Sequence, residues 1–283
     1  MMSEHDKISK SCPYCLSTGR LYVYHGGSNY YRCDGCDLIF RDGRQHENGD
    51  DLHRYYEDHY FDDCAEDEMT GQRNSIYRRV MDAIGKEAPP GKLLDVGCGC
   101  GFLLNEARRR GWRIMGIDPS VKSMDHAENM LESRLFRGTL ETFPLGDTFD
   151  VVTFINVLDH SAAPWKDIQH AVRLLNRGGL LFLRFPNGLF HPVIQQISSG
   201  FMGNAVMHKY LVLHEYSFTP FFIKHLLSDH GFTGIEIRNA SLSGGSVFSR
   251  ILKKTFAIAA HSLYLASAGK MIFGPSLEVM ARK

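Results

Sequence analysis

The segment Leu93-Leu94-Asp95-Val96-Gly97-Cys98-Gly99-Cys100-Gly101 constrains this chain more than any other. A short apolar run that ends in a glycine-rich turn and opens into helix-forming sequence is a parallel strand feeding a helix across a crevice. The glycines let the backbone bend sharply and let a ligand approach without interference from Cβ. The spacing is GxGxG with an acid two residues before the first glycine, which differs from the GxGxxG of a dinucleotide site. Asp118 closes the next apolar run, in Gly116-Ile117-Asp118-Pro119. A carboxylate at that edge can accept hydrogen bonds from both hydroxyls of a ribose. Two separate parts of the sequence therefore point at one adenosine-type ligand.

From Lys92 onward strand-like and helix-like segments alternate, the pattern of a doubly wound, mostly parallel α/β sheet of seven strands. Strands are expected at Lys92–Val96, Trp112–Ile117, Arg134–Arg137, Asp150–Ile155, Leu180–Phe185, Thr233–Arg238 and Ser276–Ala281. Helices are expected over Phe102–Arg110 and Val121–Leu131, and another from the Thr219-Pro220 start to Gly231. Trp165, Ile168, Val172 and Leu175 form one helical stripe, with a stop expected at Arg177-Gly178-Gly179. Ile76, Val80 and Ile84 place a further helix before the sheet. Residues 43–72 are polar and acidic, with Tyr55, Tyr56 and Tyr60 embedded, and read as a linker and lid preceding a catalytic domain over 73–283. Residues 240–275 are long for a connection and read as an insertion before the last strand. Their apolar stretch is broken by His261, Ser262, Ser267 and Lys270, so an integral membrane span is not expected, and packing on the protein or on a membrane surface fits better.

Residues 1–42 read as a unit of their own. Cys12 and Cys15, then Cys33 and Cys36, form two CxxC pairs separated by seventeen residues, the spacing of a zinc ribbon. In a module this small, four thiolates on one structural zinc supply folding free energy that a slight core cannot. Seven cysteines, four of them in tight pairs, suit metal binding in a reducing compartment. The stretch Met1–Lys10 lacks the apolar core of a signal peptide, so a cytoplasmic location is expected. Lys plus Arg equals Asp plus Glu at 32 each, and a balanced charge gives no general attraction to a polyanion.

The stretch from Tyr55 to Phe185 resembles the class I S-adenosylmethionine-dependent methyltransferases, carried by the acid-GxGxG turn, by Asp118, and by Asn156-Val157-Leu158-Asp159-His160 after Phe149-Asp150-Val151-Val152. The resemblance implies a Rossmann-like methyltransferase fold. It places Asp95, Gly97, Cys98, Gly99, Gly101 and Phe102 at the methionine end of the cofactor, and Asp118 with Pro119 at its ribose. Thr139 and Leu140 would flank adenine, Asn156 and Val157 would face the methionine moiety, and Tyr60 would lie over the cofactor from the lid. The product would be S-adenosylhomocysteine. The cysteine segment is similar to the zinc-binding domain that precedes some bacterial methyltransferases of sugar and secondary-metabolite pathways.

Methyl transfer from an activated sulfonium needs an acceptor held in line and shielded from water. A hydroxyl acceptor also needs somewhere to put its proton, and histidine suits neutral pH. His160, at the carboxyl edge after the fourth strand, is the first candidate, with His214 and Tyr216 as further catalytic candidates and His191 as a residue that could line the acceptor pocket. The favoured acceptor is a small molecule, such as a sugar, a phenol or quinone, or a secondary-metabolite intermediate, methylated on oxygen in preference to carbon. Two alternatives stand beside it: base methylation of RNA by a zinc-ribbon enzyme, and a non-catalytic binding protein on the same fold. Asp34, Asp37, Asp42, Glu47, Asp50 and Asp51 crowd the region that an RNA partner would need to be basic. The sequence carries no signal for an oligomeric state.

Overall fold

The computed structural model describes residues 9–42, 74–190, 192, 213–240, 272 and 274–283. The expected lid with Tyr60, the loop residue His191 and most of the 240–275 insertion lie outside the described residues. Strands β1 (Ser9–Ser11), β2 (Thr18–His25), β3 (Ser28–Cys33) and β4 (Ile39–Arg41) open the chain. Helix α1 (Asn74–Glu87) leads into β5 (Lys92–Val96), α2 (Phe102–Arg109), β6 (Arg113–Asp118), α3 (Val121–Leu131), β7 (Phe136–Arg137) and β8 (Phe149–Ile155). A 3-10 turn at Leu158–His160 precedes α4 (Pro164–Leu174) and β9 (Leu175–Pro186). Strand β10 (Tyr216–Ser217), helix α5 (Pro220–Asp229), β11 (Thr233–Asn239) and β12 (Ser276–Arg282) complete the described elements.

The main sheet has seven strands in the order β11-β12-β9-β8-β5-β6-β7, with β5 to β9 parallel and β12 antiparallel to both its neighbours. The order reverses at β5, so a crevice opens at the carboxyl ends of β5 and β8, where ligands of open α/β sheets bind. Alternating side chains supply two cores. Leu93, Val151, Leu180 and Phe182 face α1, α2 and α3, whose Ile84, Leu104 and Met124 cover them. Leu94, Val152, Leu181 and Leu183 face the other way, under α4 and α5, and there the core is continuous with Cys12, Cys36, Leu38 and Phe40 of the amino-terminal module. Among the described residues no helix is long and apolar enough to cross a membrane.

Local chemistry explains several element ends. Ser120 caps α3 by accepting from Ser123 N, and Thr219 caps α5 by accepting from Phe222 N, with Pro220 in the first turn. The stop expected at Arg177-Gly178-Gly179 is corrected: α4 ends at Leu174, and Leu175 already pairs with Phe149 as the start of β9. The two glycines instead receive the chain terminus, Gly178 N donating to Lys283 O and Lys283 N to Gly179 O, both at 3.0 Å. A long-range pairing thus replaces the helical cap that the local signal announced.

Candidate functional site

The turn after β5 is tightly wound. Gly97, Gly99 and Gly101 all have positive φ, at 68°, 49° and 79°. Gly97 N and Cys98 N both donate to Ile117 O at 2.7 and 3.0 Å, which ties the turn to the end of β6. Asp118 then reaches back: its Oδ2 accepts from Gly99 N at 2.9 Å and its Oδ1 from Ser120 N at 2.8 Å. The carboxylate therefore lies against the bend, one oxygen on the turn and the other on the start of α3. Pro119 continues from this carboxylate into the cap of α3, and Gly138 N donates to Asp118 O, which brings Thr139 and Leu140 beside it. Phe102 starts α2 and its ring lies 5.7 Å from that of His126.

Beneath the turn, buried Asp95 accepts from Thr153 Oγ1 at 2.6 Å, a charge-assisted bond between β5 and β8. Cys98 is buried, and burial, then the nearby Asp118 and Asp95 carboxylates, push its thiol well above the ordinary range. It is a small packing residue here rather than a nucleophile. Asn156 adopts a left-handed φ of 55°, and its Oδ1 accepts from Arg184 at 3.0 Å while its N–H donates to Arg184 O at 2.7 Å. The side chain of Val157 stands where a Cβ on Gly97 would go. Thr153 and Arg184 were not legible as site residues. A lone arginine inside the apolar run Leu180–Phe185 was the available signal.

Asp159 and His160 follow in the 3-10 turn. Asp159 is 2% exposed, and neither carboxylate oxygen has a hydrogen-bond partner among the described residues. His214 arrives from the segment before β10, its Nε2 lying 3.5 Å from Asp159 Oδ2, while His160 Nε2 lies 3.9 Å from the same oxygen. The two imidazole centroids are 3.9 Å apart. Burial raises the Asp159 carboxyl to about 6, partly opposed by His214, and burial lowers His160 to about 4. Tyr216, the third residue expected to be catalytic, is buried, packs edge-on to Trp165, and donates its hydroxyl to Ala162 O at 3.3 Å.

The four paired cysteines converge. Cys12 and Cys36 sulfurs are 3.6 Å apart and Cys15 and Cys33 sulfurs 3.4 Å, and all four lie within 4.8 Å of one another. A disulfide would need about 2.05 Å, whereas zinc with bonds of about 2.3 Å in a tetrahedron separates its sulfurs by about 3.8 Å. The two knuckles repeat one geometry. Leu16 N donates to Cys12 O and Asp37 N to Cys33 O, and Cys12 N to Ser17 O and Cys33 N to Leu38 O. Leu16 and Asp37 both have positive φ, 63° and 67°. Cys33 Sγ also accepts from the N–H of Gly35 and of Cys36. This donor set, four sulfurs with amides aimed at one of them, fits a structural zinc held by Cys12, Cys15, Cys33 and Cys36.

The module is joined to the rest of the chain at several points. β10 forms the edge of its sheet, Tyr216 opposite Phe40 and Ser217 opposite Ile39. Tyr14, inside the first knuckle, donates to Asp229 Oδ2 at 2.6 Å and packs against Trp165 and Phe222. Three of the four lysines and arginines among the module's described residues pair with acids, Lys10 with Asp42, Arg20 with Asp34 and Arg32 with Asp37, while Arg41 Nε donates to Ser28 Oγ at 2.9 Å.

A family model described as a methyltransferase domain matches residues 69–237. Ubiquinone biosynthesis O-methyltransferase of Haemophilus ducreyi is 37% identical over 121 residues, covering 39% of this chain and 49% of that protein. The enzyme of that name from Actinobacillus pleuropneumoniae is 36% identical over 102 residues, 32% of this chain and 44% of its own length. The chain therefore spans less than half the length of these relatives. Among solved structures, magnesium protoporphyrin IX methyltransferase of Synechocystis with bound SAH aligns at a TM-score of 0.55 and 19% identity, covering 83% of this chain and all (100%) of that one. A SAM-dependent methyltransferase from Archaeoglobus fulgidus aligns at 0.52 and 17%, covering 80% of this chain and 100% of its own. At these identities the structures speak for the fold.

Proposed function

The chain belongs to the methyltransferase-domain family, and from that premise we propose that it transfers the methyl group of S-adenosylmethionine to an oxygen of a small-molecule acceptor. The observation that carries this reading is the carboxylate of Asp118 lying against the glycine turn, 2.9 Å from Gly99 N. One side chain there both braces the bend and sets a carboxylate at the crevice where the ribose hydroxyls would lie. The turn Asp95–Gly101, with Cys98 as a small residue in it and Phe102 beside it, takes the amino-acid end together with Asn156 and Val157. Pro119, Thr139 and Leu140 border the base, and Tyr60 belongs to the lid that covers it.

When bound, S-adenosylmethionine supplies a methyl already activated by its sulfonium, so that a bond from the acceptor oxygen forms as the carbon–sulfur bond breaks and its electron pair stays on sulfur. Arg184 holds Asn156 in its left-handed conformation and so keeps the floor of the crevice in place. His160 and His214 stand at the carboxyl edge beside the place of the acceptor oxygen, and Tyr216, through its hydroxyl on Ala162 O and its pairing with Phe40, anchors β10 next to the segment that carries His214. Oxygen is favoured because the similar ubiquinone enzymes are named as O-methyltransferases. A small acceptor is favoured over RNA because Lys10, Arg20 and Arg32 of the ribbon are each paired with an acid, which speaks against a basic stripe among the described residues. The ribbon at 1–42, the lid at 43–72 and the catalytic domain at 73–283, with its 240–275 insertion, are the proposed divisions. Calorimetric titration of the full chain with S-adenosylmethionine and S-adenosylhomocysteine tests the reading. Micromolar binding of both is expected, and a folded, zinc-loaded sample that binds neither overturns it.

A further inference from the structure

We propose that Asp159, His160 and His214 hold a divalent cation of the zinc type beside the acceptor, and that the ribbon delivers the third of these ligands. The distances speak first. Asp159 Oδ2 lies 3.5 Å from His214 Nε2 and 3.9 Å from His160 Nε2. Hydrogen bonds would bring these atoms to about 2.7–3.2 Å. Two ligands of one ion, each about 2.1 Å from it, stand about 3 to 4 Å apart at ordinary coordination angles. All three ligand atoms fall within 4.8 Å of one another.

Burial supplies the second observation. Asp159 is 2% exposed and its oxygens find no hydrogen-bond partner among the described residues. A buried carboxylate that receives no hydrogen bond, with two imidazoles at 3.5 and 3.9 Å as its polar neighbours, is costly, and a cation shared by the three groups relieves that cost. Two imidazoles and one carboxylate are hard-to-borderline donors suited to zinc, and three protein ligands leave a position open for substrate.

Assembly of the site is the third observation. Asp159 and His160 are adjacent in the 3-10 turn, where His160 N donates to Val157 O at 3.0 Å. His214 comes from far along the chain and is flanked by contacts to the ribbon. Tyr30 donates its hydroxyl to Leu213 O at 3.2 Å, and Arg41 N donates to Glu215 O at 3.1 Å. The next two residues pair with β4. The ribbon is thereby a positioning part of the site rather than an appended module.

The use of the open position rests on the methyl-transfer reading. An acceptor hydroxyl placed there loses its proton to solvent more readily, because the cation stabilises the oxygen that keeps the electron pair. The acceptor class that gains most carries a hydroxyl beside a second oxygen donor, as a catechol or a hydroxyketone does.

Native mass spectrometry of the full chain, purified with zinc and mixed with S-adenosylhomocysteine, counts metal and cofactor in one spectrum. Two zinc ions per wild-type chain are expected, one in His214→Ala and in the near-isosteric Asp159→Asn, and none in Cys33→Ser. A single zinc in wild type, or two in both the His214→Ala and the Asp159→Asn chains, overturns the site, and one zinc kept by Cys33→Ser overturns delivery by the ribbon. X-ray absorption at the zinc edge reads the same question without a variant: a mixed sulfur and nitrogen–oxygen shell supports the second site, and sulfur alone refutes it. Cofactor bound with one zinc leaves methyl transfer standing and removes this inference. Two zinc ions without cofactor do the reverse.

Discussion

Alanine in place of Gly97 tests the glycine turn at its tightest point. A Cβ built on Gly97 falls 2.4 Å from Val157 Cγ2 and 2.7 Å from Cγ1, well inside contact distance. The residue also has φ of 68°, a left-handed conformation that costs an L side chain about 1–2 kcal/mol. The backbone cannot slide away cheaply, because Gly97 N is committed to Ile117 O at 2.7 Å. Overpacking of this kind adds about 1–3 kcal/mol, so Gly97→Ala should lose about 2–5 kcal/mol from a total that for most domains is about 5–15 kcal/mol. The structure separates the two contributions. Val157→Ala removes the two methyl groups at 2.4 and 2.7 Å and leaves only its Cβ at 3.1 Å, so the double variant should recover most of the steric part and keep the backbone part. Urea unfolding of the four chains in a double-mutant cycle should give a coupling of about 1–3 kcal/mol, with S-adenosylmethionine affinity falling in the single Gly97→Ala chain and partly returning in the double. Strict additivity of the two substitutions, or a Gly97→Ala chain as stable as wild type, would refute the packing on which the turn depends.

Asp118→Ala removes the proposed ribose acceptor and leaves Gly99 N and Ser120 N without their partner. Two charge-assisted bonds at about 1.5–3 kcal/mol each predict a dissociation constant raised by about a hundredfold or more. Calorimetry that finds less than a tenfold change would contradict the assignment. Thr153→Val withdraws the hydroxyl bonded to buried Asp95, so a stability loss of about 1–3 kcal/mol is expected, and an unchanged urea midpoint would count against it. The carboxyl of Asp150 is held below its ordinary value by the N–H of Lys92 and then by the amide of Asn176. Because the folded value is the lower one, this contribution is present above the unfolded value and is lost as pH falls below about 4. The stability advantage of wild type over Asp150→Ala should therefore shrink between about pH 5 and about pH 2, and an advantage that grows on acidification would reverse the sign of the argument. If the four cysteines hold zinc as proposed, chelation should expose residues 9–42 and the β10 edge to protease together. Cleavage confined to the ribbon would mean the two are not coupled.

What could be read from the amino acids alone was whatever is encoded within a few residues of itself. Helix α3 runs over Val121–Leu131 as expected, and α5 starts at Thr219-Pro220, because a cap and its target amide are neighbours in sequence. The strand-turn-helix at Lys92–Arg109 and the CxxC knuckles are local in the same sense, since glycine conformation and thiol spacing act over about three to five residues. Where a partner comes from far away, the local signal failed or was silent. Gly178-Gly179 looked like a helix stop, yet the carboxyl terminus at Lys283 and the pairing of Leu175 with Phe149 decided that segment.

The amino-acid order thus determined the crevice: an acid-GxGxG bend, an aspartate closing the next strand, and two thiol pairs spaced for one ion. Tertiary structure decided what stands opposite it. Strands β4 and β10, separated in sequence by most of the main sheet, pair through backbone groups that carry no side-chain code, and that pairing, with the contacts flanking it, sets His214 3.5 Å from Asp159.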